Sequence, residues 1–140
     1  YDEILRAIDI YPIWTENYAG LCAAKRVAQN YLVNAEADGY SNVICGYVRT
    51  GLGFDAQRRQ LGGIPEGAPD GGMAEPDMLL GSSFACDPRF KWYQALGHYK
   101  DTPVFAHDVI MPSVDANLNE VRNYYIAYLT EQLRELNRGG

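Results

Sequence analysis

The sequence predicts an α/β protein with a parallel, doubly wound sheet of the Rossmann or flavodoxin type, forming one segment of a larger subunit over residues 1–140. Three observations predict it. Short unbroken apolar runs recur along the chain, as expected of strands covered on both faces. Longer segments between them repeat apolar residues at three and four positions, the period of a helix. Strands alternating with amphipathic helices make βαβ units, which pack as a parallel sheet.

Residues 4–10 alternate loosely and stop before Pro12, which has no N–H to give to a ladder, so a strand is expected. From 15 to 38 one helix is expected, with Leu21, Ala24, Ala28, Tyr31 and Ala35 on its inner face and Gly39 as its left-handed cap. Residues 42–44 form a brief apolar run into Cys45, with Gly46, Gly51 and Gly53 after it, which puts the cysteine at a strand-to-turn or turn-to-helix junction. Five glycines and two prolines in residues 62–72 exclude a helix or a central strand.

Residues 78–81 predict a buried strand. Asp87 and Pro88 then open a helix that carries Phe90, Tyr93, Leu96 and Tyr99 on one side. Residues 104–106 predict another short strand, ending at His107 and Asp108. The last helix starts at Asn117 and Glu120, in capping-box spacing, and repeats Leu118, Val121, Tyr125, Tyr128, Leu129, Leu133 and Leu136.

Composition narrows the class of function. A net charge of −6 with twelve scattered Lys and Arg residues argues against nucleic acid as a partner. No apolar run reaches the roughly 18 to 20 residues of a membrane span, so no membrane partner is expected and the cytoplasm is the expected compartment. The chain opens at Tyr1 without Met and ends within a helical pattern, which predicts an excerpt from a longer polypeptide. Cys22, Cys45 and Cys86 are odd in number and include no Cys-x-x-Cys pair, so a disulfide framework and a zinc ribbon are both disfavoured.

Nucleotide signatures are missing: no G-x-G-x-x-G follows the first expected strand, and the glycine-rich loop lacks Gly-Lys-Ser/Thr. His98 and His107 belong to no zinc-binding pattern, and His98 reads as a helix-surface residue. Position is more informative, because ligands of open α/β sheets collect beyond the carboxyl ends of the strands. Cys86 and the pair His107 and Asp108 fall in two such loops, Glu16 follows the first expected strand, and Cys45 lies near a further one.

Several segments, in order, resemble one family. They are Glu16-Asn17-Tyr18 before a long helix, Cys45-Gly46-Tyr47-Val48-Arg49 with Gly53 beyond, Pro76-Asp77-Met78-Leu79-Leu80, Cys86 followed by Lys91-Trp92, and Pro103-Val104-Phe105 with Asp108. The series is similar to the 2-hydroxyacyl-CoA dehydratase and benzoyl-CoA reductase family, from about residue 4 to residue 112.

The resemblance implies an iron–sulfur enzyme subunit acting on an acyl-CoA substrate. Cys45 and Cys86 match the first two metal ligands of a 4Fe–4S cluster whose third cysteine lies outside this chain, with Cys22 as the alternative. It also implies a related second cluster-bearing subunit and an ATP-hydrolysing iron–sulfur activator that delivers the electron. Glu16 and His107 become candidate catalytic proton carriers, and Arg49, Lys91 and Trp92 candidate contacts to substrate or coenzyme A, with Arg58 and Arg59 as further phosphate contacts.

Within the family, Asp87 through Gln94 and the Gly-Gly-Met before Pro76 lean toward reduction of an aromatic acyl-CoA, as in benzoyl-CoA reductase and anaerobic aromatic degradation. Dehydration of a 2-hydroxyacyl-CoA through a ketyl radical is the alternative. A third reading is an electron-relay subunit that never touches substrate.

Overall fold

A helix with two interior glycines organises the N-terminal part of the chain in the computed structural model, which describes residues 2–84 and 86–138. The element order is α1 (Asp2–Ala7), α2 (Thr15–Ala24), α3 (Ala28–Ala37), α4 (Gly46–Leu61), a single 3-10 turn (Pro69–Gly71), β1 (Leu79–Ser82), α5 (Asp87–Lys100), β2 (Val104–His107) and α6 (Leu118–Arg138). The chain divides into two compact units, Tyr1–Asp108 and Val109–Gly140.

The glycine-containing helix is α4, and its glycines are there for packing. A Cβ on Gly51 would lie 1.9 Å from the Trp92 ring, and one on Gly53 would lie 1.7 Å from the carbonyl oxygen of Tyr31. Removing two side chains thus lets α3 and the Trp92 indole approach the α4 backbone on opposite sides. Two core clusters result. Val48 and Leu52 of α4 join Leu79, Trp92 and Leu96, while Phe54 joins Tyr18, Cys22 and Tyr31. Phe54 meets the Tyr18 and Tyr31 rings edge-on at 5.1 and 5.5 Å between centroids.

The expected βαβ unit is present as β1–α5–β2. The strands are parallel, with Leu79 opposite Val104 and Ser82 opposite His107. These are the two strands of the sheet among the described residues, so the chain is mixed α/β with a small parallel sheet. The more extensive doubly wound sheet is not seen among them.

Three expectations are corrected. Residues 4–10 are not a strand: Asp2–Ala7 is helical, with Asp2 and Glu3 in its first turn, Arg6 in its last and Leu5 buried. Its end is a Schellman turn, in which Asp9 takes a positive φ of 59° and the N–H of Ile10 donates to Leu5 O at 2.9 Å. The single helix over 15–38 is two helices, α2 and α3. A second Schellman turn divides them, with Arg26 at φ 60° and the Val27 N–H donating to Cys22 O at 3.0 Å. Residues 42–44 form no strand, although Cys45 does begin a helix.

Other expectations hold. Gly39 ends α3 in the left-handed region, and residues 62–72 form a loop apart from the single 3-10 turn. In the second unit, Asn117 caps α6, since its Oδ1 accepts the Asn119 N–H at 3.1 Å and its Nδ2 donates to Glu120 at 3.2 Å. The N–H of Ile110 donates to the Tyr125 hydroxyl at 2.7 Å, which ties the arm before α6 to the helix. Among the described residues no helix is long and apolar enough to cross a membrane.

Candidate functional site

Cys45 and Cys86 occupy the same structural position, each as the N-cap residue of a helix, α4 for Cys45 and α5 for Cys86. Neither side chain caps its helix. Ser, Thr, Asp and Asn are favoured there because their oxygens satisfy the orphan N–H groups, so a thiol forgoes about 1 kcal/mol at each position. Trp14 and Val27, at the N-caps of α2 and α3, make no side-chain cap either, so what sets Cys45 and Cys86 apart is the thiol that each places there.

The packing of the helices brings the two N-termini to one end. Gly51 of α4 abuts Trp92 of α5, and further along both helices Asp55 pairs with Lys100 at 2.6 Å, so the helices run in the same sense. Each cysteine lies six residues before the Gly51–Trp92 contact. At about 1.5 Å of rise per residue, both are about 9 Å upstream of it. Cys45 is exposed and Cys86 half-buried, and both are free thiols. Free backbone N–H groups of the first helical turns surround each one, and such donors tune cluster sulfurs.

Cys22 has a different environment. It is 0 % exposed, packed with Tyr18, Tyr31 and Phe54, and burial pushes its thiol above the ordinary range. It is a core residue.

Glu16 stands in the first turn of α2 and faces the first turn of α5. Its Oε1 lies 3.5 Å from Arg89 Nη1, while Nη2 of the same guanidinium donates to Phe84 O at 3.1 Å, in the loop that delivers Cys86. Beside this pair the Thr15 and Tyr93 hydroxyls are hydrogen-bonded at 2.9 Å. Burial raises the Tyr93 pKa, partly offset by that bond. Arg89 is not among the residues that the sequence singles out. The signal that could have found it is a cation in the first turn of a helix, where the dipole disfavours it.

His107 and Asp108 reach the same edge of the sheet. The Ser83 N–H donates to His107 O at 3.0 Å, and Ser83 Oγ donates to Asp108 Oδ1 at 2.6 Å, a few residues before Cys86. Glu16, Cys86, His107 and Asp108 therefore converge beyond the carboxyl ends of β1 and β2, where an α/β sheet collects its ligands. His98 lies exposed on α5.

The remaining candidates have other engagements. Arg49 pairs with Glu36 and donates to Asn42 O at 3.0 Å, clamping the loop before Cys45 to α3. Trp92 is 1 % exposed and fills the core rather than offering its ring to a nucleotide. Lys91 is exposed and donates to Gln94 at 2.8 Å. Arg58 holds Met73 O and Glu75, and Arg59 bonds Asp38 at 2.6 Å beneath the Tyr99 ring, so both arginines brace the glycine-rich loop and its surroundings.

Among the described residues no group of three or more His, Cys, Asp or Glu side chains is arranged to hold a metal. The paired thiols supply two donors of the soft type that iron–sulfur clusters take, and a third would have to come from elsewhere.

Comparison with known proteins identifies the family. Residues 2–138 match the family model described as 2-hydroxyglutaryl-CoA dehydratase, D-component. The (R)-phenyllactyl-CoA dehydratase alpha subunit of Clostridium sporogenes is 27% identical over 135 residues, covering 96% of this chain and 31% of the relative. The (R)-2-hydroxyisocaproyl-CoA dehydratase alpha subunit of Clostridioides difficile is 29% identical over 134 residues, with the same two coverages of 96% and 31%. A benzoyl-CoA reductase subunit of Thauera aromatica is 25% identical over 133 residues, covering 94% of this chain and 29% of the relative. This chain thus spans about a third of the length of these relatives. Both the ordered motifs and the family match, which takes in nearly every residue, lead to one conclusion: the chain belongs to the 2-hydroxyglutaryl-CoA dehydratase D-component family, whose members are enzyme subunits.

Proposed function

We propose that this chain is the cluster-bearing part of a subunit that dehydrates a 2-hydroxyacyl-CoA thioester, with Cys45 and Cys86 as two of three protein ligands to a 4Fe–4S cluster. The observation that carries the reading is the pair of non-capping thiols at the same end of two co-directional helices. Two relatives named as dehydratase alpha subunits favour dehydration. Dehydration removes the 2-hydroxyl and a 3-hydrogen as water and is redox-neutral overall.

When bound, the cluster supplies a Lewis-acidic iron and a single low-potential electron. The chain's own residues do the rest. Glu16, held by Arg89, takes and returns a proton beside Cys86. His107 and Asp108 orient the substrate from the sheet edge, and exposed Lys91 contacts the coenzyme. A related second subunit and an ATP-hydrolysing iron–sulfur activator complete the system, in a reducing cytoplasm that suits free thiols.

Reductive dearomatisation of an aromatic acyl-CoA is the second reading, favoured by the similarity to the benzoyl-CoA reductase of Thauera aromatica. Product analysis separates the two. The anaerobically purified complex, given activator, ATP and reductant, is expected to convert a 2-hydroxyacyl-CoA to its enoyl-CoA and to leave benzoyl-CoA untouched; a cyclic diene from benzoyl-CoA would reverse the order. Iron and sulfide analysis of the same preparation is expected to give a cluster. Unchanged cluster spectra on adding either thioester would instead assign the relay role.

A further inference from the structure

A cleft of about 500 Å³ lies in the first unit, and its lining includes Leu79 and Leu80 of β1. Its floor is a helical layer, with Gly51 and Phe54 of α4 beside Tyr93 and Leu96 of α5. Residues 10–14 form one wall, and residues 73–80, running into β1, form the other. Two chain segments side by side over a helix layer are what an α/β sheet looks like with one strand removed.

Each wall keeps backbone groups with no hydrogen bond among the described residues. Leu79 N–H donates to Pro103 O and Ser83 N–H to His107 O, at 2.9 and 3.0 Å. Since alternate residues of a strand direct their backbone groups to opposite sides, Leu80 and Ser82 point theirs at the open edge of β1. No strand pairs with that edge among the described residues. On the other wall, Trp14 has extended backbone (φ −86°, ψ 101°), and the N–H groups of Tyr11 and Ile13 make no hydrogen bond among the described residues. Pro12, between them, has no N–H to offer. Tyr11, Ile13 and Trp14 are 81, 56 and 57 % exposed.

The charges around the cleft make an anionic small molecule a poor fit. Asp55 is paired with Lys100 at 2.6 Å and Arg58 with Glu75 at 3.1 Å, so the lining's cations are already engaged, while Asp2, Asp9 and Asp77 add further negative charge to it. A two-stranded parallel sheet is also too small to stand alone, because parallel sheets are stable as covered, multi-stranded layers.

We propose that the cleft is a strand slot, filled in the intact subunit by an extended apolar segment of the same polypeptide that lies outside these 140 residues. This chain spans 31% of its relatives' length, so a subunit of their size has ample chain to supply it. The inserted strand bonds Leu80 and Ser82 on one side and Tyr11 and Ile13 on the other, joining both walls into one parallel sheet. The inference does not depend on the reaction catalysed.

Residue-resolved hydrogen exchange on the anaerobic holoenzyme, with and without acyl-CoA, tests it. The amides of Tyr11, Ile13, Leu80 and Ser82 are expected to exchange at least about 1,000-fold more slowly than in free peptides, alike in both conditions, since a central-strand amide opens only with the cooperative unit around it. Exchange at free-peptide rates would overturn the proposal. Protection that arises only with acyl-CoA would also overturn it, identifying a ligand cleft instead.

Discussion

At the scale of single residues, the informative feature is a pair of thiols at the N-caps of two co-directional helices. Cys45 and Cys86 stand where an oxygen side chain would satisfy an orphan N–H, and neither makes such a bond. Ordinary core cysteines behave like Cys22, which is fully buried beside Tyr18. The difference gives a separable prediction. Cys45→Ser and Cys86→Ser are each expected to stabilise the cluster-free protein by about 0.5–1 kcal/mol, through a restored cap, while abolishing cluster assembly and turnover. Denaturant midpoints of cluster-free protein, set beside iron content of the anaerobic protein, measure both effects. A serine variant that lost stability with its iron would show the thiols to be structural.

At the scale of elements, the chain shows where sequence patterns carry information and where they do not. β1, α5, β2 and α6 are legible because a short apolar run, a Pro in the first turn and a capping asparagine each have one local meaning. The break between α2 and α3 is not, because the left-handed position that makes it falls on Arg26 rather than on glycine. The same holds for α1, which ends on Asp9 at φ 59°. Helix α4 is hidden for the opposite reason, since Gly51 and Gly53 read as turn formers when their cause is tertiary. The convergence of Cys86 with His107 and Asp108 can be read from strand ends, whereas the Glu16–Arg89 pair needs the packing of α2 against α5.

Both kinds of position can be tested by substitution. Arg26→Gly is expected to stabilise the subunit by about 0.5–1 kcal/mol, because glycine adopts positive φ without steric cost and this outweighs its entropic penalty. Gly53→Ala is expected to cost about 3 kcal/mol, since its methyl group would enter the backbone of α3 at Tyr31, which cannot rotate away. Urea unfolding monitored by circular dichroism measures both, and a neutral Gly53→Ala would mean that α3 and α4 are not in close contact.

At the scale of the whole molecule, the first unit holds several ionisable groups that burial, full or partial, keeps in their neutral forms. Tyr18, Cys22 and Tyr31 surround Phe54, and burial raises the pKa of all three; Tyr40 and Tyr93, against the other core cluster, are raised for the same reason. The sign of the pH effect follows from where the protons are. Below about pH 8.5 for the thiol and about pH 10 for the phenols, folded and unfolded chains are both protonated, and stability is complete. Above those values the unfolded chain loses protons that the folded chain retains, so unfolding releases protons and stability falls as pH rises. The urea midpoint of the cluster-free protein is therefore expected to be level from about pH 7 to 8.5 and to decline steadily toward pH 11. A single substitution isolates the contribution of one buried phenol. Tyr18→Phe removes one phenol without changing the ring that meets Phe54, and its midpoint is expected to fall less steeply above about pH 9 than that of the parent. Parallel slopes for the two proteins would mean that Tyr18 ionises as freely in the folded chain as in the unfolded one, and that the Phe54 cluster is open to water.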